Sequence, residues 1–215
     1  MSPATRRKSP AKIELLVATR NKKKLQEIKE ILRDLNLKIT SLDDHPGMPE
    51  IVEDGTTFEE NAIKKAKTIA DITKTLVMGE DSGLEVRALK MRPGIYSARY
   101  SGPGANDEKN NQKLLKELAG VPLKKRSARY KCVAALADAK GVVAVVSGTC
   151  SGLIGFKPRG KSGFGYDPLF IIKKYNKTFG ELGPEIKHKI SHRYKALKKT
   201  VRIMEGYLRR SHRHV

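Results

Sequence analysis

Tryptophan is absent from the 215 residues, cysteine occurs twice, and aromatic residues make up only 6% of the chain. Two thiols, Cys132 and Cys150, cannot frame a disulfide scaffold, and neither belongs to a CxxC pair. A reduced, buried state in a cytoplasmic protein is the expectation for both. Long apolar runs are also missing. The best candidate is the short stretch 141–146, far below the ~18 residues that a membrane-spanning helix needs. Residues 1–12 are basic and polar, with Pro3 and Pro10, and lack the apolar core of a secretory signal. Acid is scarce as well: 23 Asp+Glu stand against 44 Lys+Arg, a formal charge of +21. The 39% hydrophobic content supports a core and excludes a wholly disordered basic chain. The length allows one domain, or at most two small lobes.

Such an excess of cations points to a polyanionic partner, whether nucleotide, nucleic acid or acidic membrane. The charge is uneven. Residues 157–205 hold 13 basic and four acidic residues, and the terminal segments 1–12 and 206–215 hold four and three basic residues with no acid. No zinc-finger spacing, RNP-like aromatic motif or basic-zipper heptad accompanies it. A nucleic-acid-binding module is nevertheless a rival reading to an enzyme. For an enzyme, nucleic acid contact is expected only non-specifically, through the basic tails 1–12 and 208–215 that flank a domain over 13–207.

Periodicity gives an α/β outline with a mixed sheet. The apolar run 13–18 reads as a buried strand, followed by a helix capped by Asn21 with Leu25, Ile28, Ile31, Leu32 and Leu35 on one face. A second helix starts at Thr57, where Thr57 and Glu60 have capping-box spacing. A short strand at 76–78 is expected to end in the turn-like Gly79-Glu80-Asp81-Ser82-Gly83. A third helix covers 106–118. Residues 129–137 and 141–153 form a hairpin, and a Gly/Pro-rich loop spans 155–168. A last helix capped by Ser191 runs to about Tyr207.

Three polar groups carry chemistry. Thr19, Asn21 and Lys24 lie at a strand-to-helix junction, where backbone N–H groups, a hydroxyl, an amide and an ammonium suit a phosphate; the ordinary alternative is a plain N-cap beside a solvated run of Lys22, Lys23 and Lys24. Glu53 and Asp54 precede the second helix, with Glu60 in its first turn and Lys64 and Lys65 one turn on. Carboxylates from two segments would suit one Mg²⁺, which takes one or two protein carboxylates plus substrate phosphates. For Glu60, capping explains as much. Phe164-Gly165-Tyr166-Asp167 places aromatics on a loop, where they offer a stacking face and Asp167 offers acceptors. Residues 155–162, GFKPRGKS, match the P-loop pattern GxxxxGK[ST], but Gly163, Gly165 and Pro168 follow where that mechanism needs a helix.

Taken together and in order, LLVATRNKKKLQEI, TFEENAIKKA, EDSGLEV, PGIYSARYSG, GFGYDPLF and KISHR resemble the inosine triphosphate pyrophosphatase family over roughly residues 13–205. The resemblance implies a long mixed sheet dividing two α/β lobes with a nucleotide cleft between them. It also implies a homodimer, Mg²⁺, and hydrolysis of non-standard purine nucleoside triphosphates such as ITP, dITP and XTP to monophosphate and pyrophosphate. It assigns Thr19, Asn21 and Lys24 to the phosphate tail, and Arg20, Lys22, Lys23 and Ser82 to substrate binding. Glu53 and Asp81 become the metal and acid–base carboxylates, with Asp81 the proton acceptor, and Lys65 neutralises phosphate charge. Phe164, Gly165, Tyr166, Asp167, Lys187, His192 and Arg193 form the base-recognition end. Relatives commonly carry Asp-Asp where this chain has Glu80-Asp81.

Overall fold

In a computed structural model, which describes residues 13–211, the chain builds one seven-stranded mixed sheet in the order β2-β1-β3-β4-β5-β6-β7. The expected tail 1–12, and residues 212–215 of the other, lie outside the described residues. Among the described residues no helix is long and apolar enough to cross a membrane.

Strand β1 (Ile13–Val17) lies parallel to β2 (Leu37–Ser41) and to β3 (Val77–Val86). From β3 onward every pairing is antiparallel. Strand β4 (Ser127–Asp138) runs against β3 from Val77↔Ala137 to Val86↔Ala128, then turns into β5 (Gly141–Ile154). Two short strands, β6 (Phe170–Ile172) and β7 (Lys177–Thr178), finish the sheet.

Strand alternation divides the core. On one face Val133, Ala135 and Ala137 of β4 meet Ala62, Ala66, Ile69 and Ala70 of α2 (Phe58–Thr73). On the other, Ala134 and Leu136 meet Ile28 of α1 (Lys22–Ile31) and Leu197 and Met204 of α5 (His192–Ser211). A third cluster joins Leu84 and Val86 to Leu114 of α3 (Asp107–Glu117) and to Phe170 and Phe179, the latter opening α4 (Phe179–Ile190). Cutting fully buried Ile69 back to Ala would cost about 2–5 kcal/mol.

Two glycines set how closely helices approach the sheet. A Cβ at Gly79 would stand 2.1 Å from the Ala62 carbonyl oxygen and 2.6 Å from the Ala66 nitrogen, so α2 lies directly on β3. At Gly148 a Cβ would stand 2.3 Å from the His192 oxygen and 2.5 Å from the Ala196 nitrogen, so α5 lies directly on β5. The first approach carries Asn61 and Lys65 to the neighbourhood of Asp81. The second carries His192 and Arg193 into the interior.

Several expectations change. The strand expected at 76–78 runs on to Val86, so Glu80 and Asp81 sit in mid-strand rather than at its end. Gly79 and Gly83 look like turn residues but admit neighbours: Gly83 faces the Gly94 oxygen and Ser97 of a short 3-10 segment, Gly94–Arg99. Thr57 does cap α2, accepting from Glu60 N at 3.1 Å, but the Glu60 carboxylate turns to Thr56 instead of closing the box. The last helix continues past Tyr207 to Ser211, into the expected tail 208–215. Strands β2, β6 and β7 and helix α4 were not anticipated. The hairpin, the caps at Asn21 and Ser191, and the buried free thiols are found as expected.

Candidate active site

One cavity of about 330 Å³ opens between the β1–α1 junction, residues 50–53, Lys65 in the middle of α2, the middle of β3 and the 164–167 loop. Its lining includes every expected site residue except Lys22 and Lys23. Lys22 is exposed. Lys23 pairs with Asp107 of α3 at 3.1 Å, at the rim of the cavity.

At the junction, Thr19 Oγ1 accepts from Asn21 N and Asn21 Oδ1 accepts from Lys24 N, both at 3.1 Å, which fixes the first turn of α1. Arg20 is occupied elsewhere, donating to the Met48 carbonyl at 2.9 Å and pairing with Asp43. The Lys24 ammonium turns inward to Glu80, 3.0 Å away.

Alternation sends the two adjacent carboxylates of β3 to opposite faces. Glu80 meets Lys24, Arg193 at 3.0 Å and the Cys132 thiol at 3.2 Å. Burial opposes its ionisation, but Arg193 and Lys24 outweigh burial and hold its carboxyl well below the usual range. Glu80 is absent from the cavity lining. In this structure it acts as a structural counter-ion.

Asp81 faces α2. Its Oδ2 accepts from Asn61 Nδ2 at 3.1 Å and its Oδ1 from Ser82 N at 2.9 Å. The Lys65 ammonium sits 2.6 Å from Glu53 and 3.8 Å from Asp81, so the two carboxylates converge on one cation. Burial pushes the Asp81 carboxyl up, against Lys65 and Lys24. Glu53 moves the other way: burial opposes its charge, yet Lys65 holds it below the ordinary value.

At the far end Lys187 bridges Asp167 at 2.7 Å and Glu27 at 2.5 Å. Arg193 bridges Glu27 and Glu80 and donates to Ser82 Oγ at 3.0 Å. The Phe164 ring lies 4.7 Å from the Lys187 ammonium. His192 is buried and stacks on Tyr130 with centroids 4.6 Å apart and planes 9° from parallel. Burial, with Arg193 and Lys187 close by, holds His192 well below the usual imidazole range, so its ring is neutral at neutral pH. His192 Nδ1 and Arg193 Nε are both buried without a hydrogen-bond partner.

The loop is held differently from what its composition suggests. Tyr166 is packed in the core and donates to the Ser97 carbonyl at 2.8 Å. Asp167 Oδ2 is taken by Lys187 and by Phe164 N at 2.9 Å. Asn111 Nδ2 donates to the Gly165 carbonyl at 2.9 Å. Sequence reasoning missed Glu27, Asn61, Asn111 and Tyr130. Asn61 had a signal, standing one turn before Lys65 on the same helical face; Glu27 had none, since its partners lie 160 and 166 residues away.

No group of three or more His, Cys, Asp or Glu suited to a metal occurs among the described residues. Glu53 and Asp81 alone make a two-carboxylate, all-oxygen set, and that fits an ion completing its shell with phosphates and water.

A mixed α/β sheet with a cleft that joins cations, paired carboxylates and two buried, unpartnered nitrogens defines a nucleotide-hydrolase class of protein. The chain belongs to the Ham1 family, whose model matches residues 15–203. It is 47% identical over 192 residues to a dITP/XTP pyrophosphatase of Desulforamulus reducens, covering 89% of this chain and 96% of the relative. To the dITP/XTP pyrophosphatase of Geobacter sulfurreducens it is 51% identical over 183 residues, covering 85% and 92%. Among solved structures, a HAM1 protein from Coxiella burnetii superposes with a TM-score of 0.82 at 38% identity, covering 90% of this chain and 99% of that one. The Staphylococcus aureus Ham1 protein gives 0.81 at the same identity and coverage.

Proposed function

We propose that this chain hydrolyses non-standard purine nucleoside triphosphates (dITP, XTP and ITP) to the monophosphate and pyrophosphate. It does so as a two-lobed domain over residues 13–207, as a cytoplasmic homodimer using Mg²⁺. The observation that carries the reading is the pair of buried, unpartnered nitrogens, His192 Nδ1 and Arg193 Nε, at one end of a cleft whose other end gathers Lys24, Lys65, Glu53 and Asp81. A 6-keto oxygen accepts from Arg193 Nε and from His192 in its Nδ1–H form. A 6-amino group leaves the arginine donor unmet, a loss of about 1–3 kcal/mol.

The first turn of α1, with Thr19, Asn21 and Lys24, holds the phosphate tail by N–H groups and charge. Glu53 and Asp81 would hold Mg²⁺, which supplies charge neutralisation and phosphate orientation when bound. Asp81 accepts a proton from the attacking water. The water oxygen bonds to the α-phosphorus, the bond from that phosphorus to the α–β bridging oxygen breaks, and pyrophosphate leaves with the electron pair. Lys65 and Lys24 stabilise the charge on the departing group. Asn61 keeps Asp81 from rotating away.

The test is product analysis with dITP, XTP, ITP, ATP and GTP in the presence of Mg²⁺. Pyrophosphate from the first three, at rates well above ATP and GTP, is expected. Equal rates on ATP and ITP would refute the base preference, and orthophosphate as the first product would refute the cleavage site.

A further inference from the structure

The segment with P-loop spacing, residues 155–162, is not absorbed by the cleft, because none of it lines the cavity. It instead forms part of a second surface. Phe156 leaves β5 with 60% of its area exposed. One face of its ring lies on the Arg126 guanidinium, 4.2 Å from ring centroid to Cζ. Arg126 is buried and pinned by the carbonyls of Leu118, Val121 and Gly155 at 2.8–2.9 Å, and it pairs with no carboxylate among the described residues. The rest of the ring is largely open to solvent.

Exposed lysines flank it. Lys124 and Lys125 precede Arg126 directly and Lys157 follows Phe156; none forms an ion pair among the described residues. The local imbalance is large. From residue 118 to 180 the chain holds 12 basic and two acidic residues, and one of the two acids, Asp167, is buried against Lys187.

We propose that this surface binds single-stranded nucleic acid, a base stacking on the open face of Phe156 while Lys124, Lys125 and Lys157 follow the phosphodiester backbone. A rigid aromatic backed by a fixed guanidinium is a sequence-tolerant stacking platform, and unpaired lysines release counterions from the strand. Duplex keeps its bases stacked on one another and offers the ring nothing, so the surface distinguishes strand state rather than sequence. The site is separate from the nucleotide cleft and does not depend on the reading of that cleft.

The experiment is fluorescence anisotropy of a labelled 20-nucleotide oligothymidylate and of the matching duplex, across a salt series. It compares the full chain with Phe156→Ala and with Lys124→Gln/Lys125→Gln. Both basic tails remain in every variant, so differences report the patch. The single strand is expected to bind more tightly than duplex, with Phe156→Ala weakening it about fivefold or more at unchanged salt slope. The double variant should lower the slope by about 1.4. Hydrolysis of dITP should be unchanged in both variants. No binding by the full chain at low salt, an unaffected Phe156→Ala variant, or equal loss on duplex would overturn the proposal. A change of dimer to monomer in Phe156→Ala on gel filtration would overturn it too, marking a self-interface. Should the full chain leave dITP intact, the reading of the cleft fails and this one stands.

Discussion

The two ends of the cleft are built on opposite plans. The phosphate end is local and partly open: Thr19, Asn21 and Lys24 share one helix start, Asn61 and Lys65 are a turn apart on α2, and the Glu53 side chain is 33% exposed. The base end is remote and closed. Lys187 reaches Glu27 across 160 residues of chain and Arg193 reaches it across 166, and Lys187, His192, Arg193 and Asp167 are each at most 4% exposed. The first plan pairs Lys24 with Glu80 and Lys65 with Glu53 but leaves Glu53 partly open to a ligand or a metal. The second has its carboxylates, Lys187 and Arg193 already in buried ion pairs, which leaves His192 Nδ1 and Arg193 Nε unpartnered. On the proposed reading chemistry and selectivity separate along the cleft, and mutations at the two ends should differ in kind.

The largest effect belongs to the phosphate end. Asp81→Asn keeps the Asn61 contact in reach but removes the proposed proton acceptor, so kcat for dITP should fall about 10²–10⁴-fold. Because burial raises the Asp81 carboxyl, its ionised form is a cost to the fold at neutral pH. The same variant should melt no lower than the parent chain by calorimetry. Retained turnover would remove Asp81 from the mechanism, and a large drop in Tm would show that it is structural after all.

The base end should break the other way, in stability before chemistry. Burial opposes the charge of Glu27, yet Arg193 and Lys187 hold its carboxyl below the ordinary value. A carboxylate with a depressed folded pKa contributes stability that is fully present above its unfolded value of about 4.3 and lost as pH falls through the folded one. Glu27→Gln leaves two buried cations under-paired and should cost up to about 3–5 kcal/mol in denaturant titrations at pH 7. The gap between the two proteins should narrow below pH 4. A gap that is constant with pH would mean that Glu27 matters by shape rather than charge.

This contrast also explains what the sequence makes legible. The caps at Asn21 and Thr57, and the apolar faces of α1 and α2, follow from three- and four-residue spacing, and they locate Thr19, Asn21, Lys24 and Lys65, while the cap at Ser191 locates the start of α5. Mid-strand Gly79-Glu80-Asp81-Ser82-Gly83 resisted the same reasoning. Its glycines admit α2 and the 94–97 turn, whereas composition alone reads them as a turn. The Glu27–Lys187–Arg193 network left no periodic trace, because pairing over such separations is decided by where Gly148 lets α5 sit on β5. Strands β6 and β7 have three and two residues, too few to show alternation.

A smaller effect should separate positioning from contact within the base end. Asn111 does not line the cavity, yet its Nδ2 donates to the Gly165 carbonyl, while Phe164 stands beside Lys187. Loss of a neutral hydrogen bond is worth about 0.5–1.5 kcal/mol. Asn111→Ala should accordingly raise KM for dITP by roughly two- to tenfold while kcat stays within about twofold. Asn111→Ser, which restores a short donor, should recover part of the loss. Equal changes in kcat and KM would mean that the loop supports the chemistry as well as the base.

The smallest expected change tests whether the lysine run at 22–24 acts as a unit. Its three members have different fates although they are adjacent: Lys24 is drawn inward to Glu80, Lys23 crosses the rim to Asp107, and Lys22 is exposed and outside the cavity lining. A solvent-exposed charge that holds no fixed partner acts on the ligand only through the screened field, which fades over about 8 Å at physiological salt. Lys22→Ala should thus leave kcat/KM for dITP within about twofold at that ionic strength, with any deficit growing as salt is lowered. Lys24→Ala should lose far more at every salt concentration, because it also strips Glu80 of a buried counter-ion. Equal losses at the two positions would show that the run works as one cationic patch, and the inward turn of Lys24 would then carry no special meaning.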